Sequence, residues 1–134
     1  MADAILTRSV AAVGIVVHDI ERAVSFYTAI LGMQQAQRID VPDMSLVEVI
    51  MVFPPGRGAA VVLMHYTDDE DHTYKDDGSK LVFQVGDCVA VAEAARAAGH
   101  EVTREPAEYP GFGKIAFVKD PDGHTLELIG GGGG

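Results

Sequence analysis

Glu127 is the residue whose type and setting point most directly to chemistry. It stands in Thr125-Leu126-Glu127-Leu128-Ile129, just after Asp120-Pro121-Asp122-Gly123. That run turns the chain, because proline fixes φ, the aspartates bond their own backbone and glycine accepts positive φ. Residues 125–129 then read as a strand, with Leu126 and Leu128 on one face and Thr125, Glu127 and Ile129 on the other. A carboxylate among large apolar residues needs a cation, a metal or a proton to offset its desolvation, and such groups gather at working sites. Other side chains carry usable chemistry. His65, at the end of an apolar run, suits a general base or metal ligand and equally a hydrogen-bonded rim residue. Glu48 is a second carboxylate, facing away from its neighbours Val47 and Val49. Cys88 opens a helix, where the dipole favours a thiolate; a small buried apolar role fits as well, since no basic residue adjoins it. Tyr109 and Phe112, in Glu108-Tyr109-Pro110-Gly111-Phe112-Gly113-Lys114, suit a mobile aromatic lid or a plain turn with packed rings.

The elements that must position these groups recur twice. Val10–Val17 alternates as a strand; Asp19 then takes an N-cap position before Ile20, Ala23, Val24, Tyr27, Ile30 and Leu31 at helical spacing, and Gly32 stops the helix. Strand-like runs follow at Gln34–Ile39, Leu46–Val52 and Ala59–Tyr66, with Pro54-Pro55-Gly56 as a breaker. The order then repeats: Leu81, Phe83 and Val85 alternate, Asp87 caps a helix with Val91, Ala92, Ala95 and Ala98, and Gly99 ends it. Caps and stop glycines recur at a spacing of about 68 residues, the mark of an internal repeat. Short strands at Glu101–Thr103, Gly113–Val118 and Thr125–Ile129 complete the second copy. The chain therefore reads as α+β, one domain of two βαβββ modules, 8–66 and 79–129. The acidic linker 67–78 lacks the ligand spacing of a calcium loop, and the glycine tail 130–134 cannot hold regular structure. A small sheet with one helix leaves its other face bare, so two copies must pair faces or dimerise to enclose a groove.

Composition narrows the partners. Among 134 residues, 20 acidic against 10 basic side chains give a formal net charge of −10, which opposes the phosphate neutralisation of nucleic-acid binding and disfavours anionic membranes. One cysteine excludes an internal disulfide and any multi-thiolate zinc site, and suits a reducing, cytoplasmic setting. No apolar run reaches the length of a membrane span or resembles a signal peptide.

Two segments carry a family resemblance: Val13–Tyr27 with Leu31-Gly32-Met33, and Ile115–Leu128. They resemble the vicinal oxygen chelate superfamily, also called the glyoxalase, bleomycin-resistance and dioxygenase superfamily, and Glu101-Val102-Thr103-Arg104-Glu105 is similar to its glyoxalase I branch. The resemblance implies a half-open barrel around a small-molecule site, often completed across a homodimer. In metal-dependent members four side chains point into that barrel and hold a divalent ion. Carried over one at a time, those positions fall on Ala12, Leu63, Lys80 and Glu127. Alanine and leucine have no donor atoms and an ammonium repels a divalent cation, so only Glu127 survives as a ligand and no metal or other cofactor is expected.

The resemblance leaves a specific constellation. Lys80 takes the place of the metal's charge, holding a developing enolate or oxyanion while Glu127 moves a proton; alternatively the two form an ion pair that merely satisfies a vestigial site. Val16, Val61, Leu63, Val82 and Ile129 make the pocket apolar, and Ala12, His65, Tyr109 and Phe112 join Leu63 and Val82 as substrate-binding candidates. The expectation is a metal-independent lyase, isomerase or epimerase acting on a carbonyl-bearing metabolite. The alternatives are a non-catalytic sequestration protein of bleomycin-resistance type, and a metal-dependent lactoylglutathione lyase-like enzyme with shifted ligands such as His65 and Glu127. Partners are a small-molecule ligand and a second copy of the chain, with no nucleic acid and no membrane.

Overall fold

The computed structural model describes residues 5–130; Gly131–Gly134 of the glycine tail lie outside the described residues. The β-branched run gives strand β1, Ala12–Val16, and Asp19 begins helix α1, Ile20–Ala29, its carboxylate accepting from the Arg22 amide at 3.1 Å. Ile20, Ala23, Phe26 and Tyr27 form the buried stripe of α1. Gly32, at φ 74°, turns the chain into β2, Gln34–Val41. A short 3-10 turn, Pro42–Met44, leads to β3, Leu46–Val52, and β4 covers Ala60–Tyr66. The second module repeats this plan with β5, Lys80–Gln84; α2, Cys88–Ala97, capped by Asp87; β6, Val102–Tyr109; β7, Gly113–Lys119; and β8, Thr125–Ile129.

Each module folds into a four-stranded sheet, ordered β1-β4-β3-β2 and β5-β8-β7-β6. The first and last strands of each module run parallel, and the remaining pairs are antiparallel. Register fixes the faces. In the first sheet Ile15, Leu63 and Val49 lie in one row and are buried on the α1 side, while Gly14, Val62 and Ile50 form the adjacent row on the opposite face. In the second sheet Leu81, Leu126 and Val118 lie on the α2 side, and Val82, Glu127 and Phe117 lie on the other.

The two helix-side faces merge into one core. Phe83 joins it from the second module, 6.5 Å from the Tyr27 ring and 6.2 Å from Phe53. Tyr27 also donates its hydroxyl to Asp120 Oδ2 at 2.7 Å, and Asp120 Oδ1 accepts from the amides of Asp122 and His124. The Asp-Pro-Asp-Gly turn is thus pinned against α1, and β8 starts at a fixed place. His124 Nε2 lies 2.7 Å from the Val16 carbonyl, which requires that nitrogen to carry the hydrogen.

Strand β6 is longer than the expected Glu101–Thr103. It runs to Tyr109 through Pro106, which the sheet accommodates because β6 is an edge strand and its pairing with β7 shifts register between Arg104 and Ala107. Tyr109 therefore ends a strand instead of sitting in a free loop. No helix among the described residues is long and apolar enough to cross a membrane.

Candidate ligand site at Lys80 and Glu127

Strands β5 and β8 bring Lys80 and Glu127 together. Lys80 pairs with Thr125 and Val82 with Glu127, so the lysine stands diagonally across from the carboxylate on the same face. Lys80 Nζ donates to Glu127 Oε1 and lies 5.6 Å from the centre of the Phe117 ring. The carboxylate is buried at 6% exposure, whereas the lysine side chain is 47% exposed. The partner that a carboxylate among leucines requires is therefore an ammonium whose other side remains in contact with solvent. Phe117 adds a modest cation–π attraction and shields one side of the pair.

The row through Glu127 continues outward. Phe117 pairs with Arg104 on β6, and Arg104 Nη1 donates to Tyr109 Oη at 2.8 Å. Tyr109 thus belongs to the Glu127 face, and Phe112 is 69% exposed at the tip of the following turn. Thr125 lies beside Lys80 and accepts from Lys119 Nζ at 2.8 Å. Sequence reasoning missed Arg104 as a member of this face, whereas Thr125 was already placed on it. The period-two phase that exposed Glu127 also selects Thr125, whereas Arg104 needed the β6–β7 register.

In the first sheet the corresponding face carries Ala12, Gly14 and Val16 on β1, Val62 and Met64 on β4, and Ile50 and Glu48 on β3. A Cβ built on Gly14 would come within 2.9 Å of Met64 Sδ, which independently puts those two residues on one face. Leu63 is not among them. It has no exposure and packs between Ile15 and Val49 on the α1 side, so its assignment to the pocket is corrected. Val61, 5% exposed, shares that core side and yet borders the cavity that opens beside Lys80 and Val82. His65 does share the face of Leu63, since Val47 and Val49 are their partners, but that is the α1 face; its Nδ1 lies 3.4 Å from the Val17 carbonyl, and Lys80 and Glu127 occupy the open face of the other sheet. Ala12 is exposed at the start of β1, and Val82 is 53% exposed beside Glu127.

The repeat identifies the position that Leu63 was meant to fill. Glu127 stands two residues beyond Thr125, the partner of Lys80; Val62 stands two residues beyond Ala60, the partner of Ala12. The four corresponding side chains are thus Ala12, Val62, Lys80 and Glu127. Two are hydrocarbon and one is an ammonium already bonded to the fourth, so this donor set does not fit a divalent ion.

The remaining candidates fall elsewhere. Cys88 is fully buried under β7 and β8, and burial pushes its thiol up, which makes it a packing residue and a poor nucleophile. Ligand atoms of Asp68, Glu70 and His72 in the linker lie within 4.8 Å of one another, at the surface. Two cavities open along the seam between β1 and β5. The larger, of about 910 Å³, is bordered by Val13, Phe53, Arg57, Lys80, Val82 and Phe83. The smaller, of about 350 Å³, is bordered by Val16, Met64, Tyr74, Ser79, Lys80 and Thr125. Lys80 belongs to both.

This architecture has relatives. The sequence model of the Glyoxalase/Bleomycin resistance protein/Dioxygenase superfamily matches residues 9–128. A putative lactoylglutathione lyase of Brassica oleracea var. gemmifera is 37% identical over 115 residues, covering 84% of this chain and 41% of the relative. The lactoylglutathione lyase of Haemophilus influenzae is 32% identical over 115 residues, covering 84% of this chain and 85% of the relative. The crystal structure of glyoxalase I from Zea mays superposes with a TM-score of 0.78 at 28% identity, over 90% of this chain and 44% of that one. The chain spans about two fifths of the length of the plant relatives it matches. A match over nearly the whole chain, two βαβββ modules and a relative of similar length together place the chain in the Glyoxalase/Bleomycin resistance protein/Dioxygenase superfamily.

Proposed function

We propose that the protein is a lyase or isomerase that transfers a proton on a carbonyl-bearing small molecule without a metal ion. The observation that carries this reading is the Lys80–Glu127 pair at the position where metal-dependent relatives are expected to hold their ion. Glu127 as carboxylate takes a proton from the carbon beside a carbonyl; the C–H bond breaks and its electrons move onto the carbonyl oxygen. Lys80, half in solvent and free to turn from Glu127 toward the ligand, holds the resulting enolate oxygen. Return of the proton to the opposite face of the same carbon gives an epimer. Where that carbon carries a hydroxyl, the hydroxyl gives up its proton to become the new carbonyl while the former carbonyl carbon takes one, which gives an isomer. Expulsion of a leaving group from the next carbon, with the enolate electrons forming the double bond, gives a lyase product. A preorganised donor at a developing oxyanion contributes about 3 kcal/mol, or roughly a hundredfold in rate. Relatives named lactoylglutathione lyase direct attention to thioesters of 2-hydroxy acids.

In this reading the ligand face is completed by a second copy. Val82 and Ala12 are exposed on the open faces, and a homodimer that sets one copy's second sheet against its partner's first would enclose Lys80 and Glu127. A cytoplasmic setting accords with the single buried thiol.

The test follows deuterium wash-in at the carbon beside the carbonyl for S-lactoylglutathione and a panel of carbonyl and thioester compounds in D2O, with and without chelator. Exchange that survives chelation and falls about a hundredfold in Lys80→Met and in Glu127→Gln is expected. Exchange abolished by chelator and restored by a divalent ion would overturn metal independence. Tight binding of a cationic glycopeptide, with no exchange on any compound, would replace the enzyme with a sequestration protein.

A further inference from the structure

Lys80 opens β5, and the ladder with β8 begins at the Lys80–Thr125 pair. Strand ends open more readily than strand middles, so the direction of this lysine depends on the turn that leads into it. Residues 76–79 fold on themselves. Asp76 Oδ1 accepts from the Gly78 amide at 2.9 Å, and Asp77 Oδ1 accepts from the Ser79 amide at 2.9 Å and from the Ser79 hydroxyl at 2.6 Å. Those bonds set the shape of the turn, and something else must set its place against the sheets.

Lys119 does so. It ends β7 on the open face, two residues beyond Phe117, and pairs with Thr125, so that Lys119, Thr125 and Lys80 lie in one row across three strands. Its ammonium donates to Thr125 Oγ1 at 2.8 Å and to Asp76 Oδ2 at 3.2 Å, and its side chain is 22% exposed. One ammonium thus joins the β8 residue beside Lys80 to the turn that leads into Lys80. Among the described residues no other side-chain hydrogen bond ties 76–79 to either sheet. The Gly78 amide first and Lys119 second hold the Asp76 carboxyl below the usual carboxylate range, so it remains an anion for Lys119. Glu127 lies diagonally from both lysines; Asp76 and Thr125 engage Lys119, which leaves the buried carboxylate to Lys80.

We propose that Lys119 and Asp76 are positioning residues for Lys80: their ion pair docks the turn 76–79 beside Thr125 and sets the direction from which the Lys80 ammonium meets Glu127. Its consequence for a ligand rests on the reading of Lys80 and Glu127 as a ligand site. The full chain and its Lys119→Met, Lys119→Arg and Asp76→Asn variants are labelled with limiting acetic anhydride, and acetylation of Lys80 is measured by mass spectrometry relative to Lys114. The same proteins are titrated calorimetrically with S-lactoylglutathione. Lys119→Met and Asp76→Asn should each raise the relative labelling of Lys80 about threefold and weaken binding of the probe by a similar factor. Lys119→Arg should stay near the parent, and the Lys119→Met, Asp76→Asn double variant should label no faster than either single. Asp76→Asn alters an exposed side chain and carries the test if Lys119→Met does not fold. Parent-level labelling of Lys80 in Asp76→Asn, additive effects in the double variant, or an equal rise in Lys119→Arg overturns the proposal. Faster Lys80 labelling in both variants, with no binding of the probe to the parent, upholds the positioning pair and counts against the ligand-site reading. Binding to the parent with labelling unchanged in the variants does the reverse.

Discussion

Val62 occupies in the first sheet the register position that Glu127 occupies in the second, each standing two residues beyond the strand partner of the residue that opens its module's open face. This equivalence makes a direct prediction about ancestry. Supplying donors at the three deficient positions, with Ala12→His, Val62→Glu and Lys80→His in one variant, should produce stoichiometric binding of a divalent ion, measured by metal analysis after purification without chelator. The same variant built with Leu63→Glu in place of Val62→Glu should bind no ion and should unfold at lower temperature, because it buries a carboxylate in the α1 core. Equal metal content in the two would show that register does not identify the site.

The ion pair itself should respond asymmetrically to removal of its members. Lys80→Met leaves Glu127 buried without a cation and should cost about 1–3 kcal/mol, less than a fully buried pair because the lysine is half exposed. Adding Glu127→Leu to Lys80→Met removes the stranded charge and should restore stability to within about 1 kcal/mol of the parent. Urea unfolding at pH 7 of the parent, single and double variants measures both numbers. A double variant as unstable as the single would mean that the pair is a net contributor to the fold.

How far this site could be read in the sequence depends on whether each strand carried a phase. Glu127 between Leu126 and Leu128 announces its face, because only one residue in the run resists burial beside the core. Ala60-Val61-Val62-Leu63-Met64 announces nothing, since every residue is apolar and either alternation is acceptable, so the run itself does not separate Leu63 from Val62. The capping aspartates Asp19 and Asp87 and the stop glycines Gly32 and Gly99 placed both helices from local chemistry alone. Strand β6 was harder: Pro106 argues against a strand until its edge position is known. For Tyr74 the sequence offers no more than an aromatic able to edge a pocket, as the linker has no periodicity and the contact with His124 is made 50 residues further along the chain.

Tyr27 and Asp120 tie the two modules, and their bond should matter more than its single contact suggests. Burial first, then the neighbouring Asp120 charge, holds the Tyr27 phenol well above its ordinary value, so it remains a donor throughout the working range. Tyr27→Phe removes one of three donors to a buried carboxylate and should cost about 1–3 kcal/mol. Thermal unfolding would check the loss. Since the Asp120 turn also positions the start of β8, Tyr27→Phe should weaken ligand binding at Lys80 more than it alters the secondary structure seen by circular dichroism.

His100 should set an acid limit on stability. Its ring meets Phe26 edge-on at 4.7 Å, and burial, with a smaller contribution from the Arg22 charge, holds its pKa below the ordinary 6.5; Asp120 opposes this weakly. A histidine depressed on folding stabilises the folded state above its unfolded pKa, and that contribution disappears as pH falls through the lower folded value. The parent should therefore lose stability on acidification below about pH 6.5. His100→Phe keeps an aromatic ring against Phe26 and removes the titration, so its melting temperature should fall less than the parent's between pH 7 and pH 5. Asp122 acts in the opposite sense and in a separate window: burial raises its carboxyl above 3.8, which favours the folded state toward lower pH, in the carboxylate range. Subtracting the two melting profiles isolates His100, because the other titrating groups are shared. A difference that stays flat through the histidine range would show that the ring exchanges its proton as freely in the folded chain as in the unfolded one.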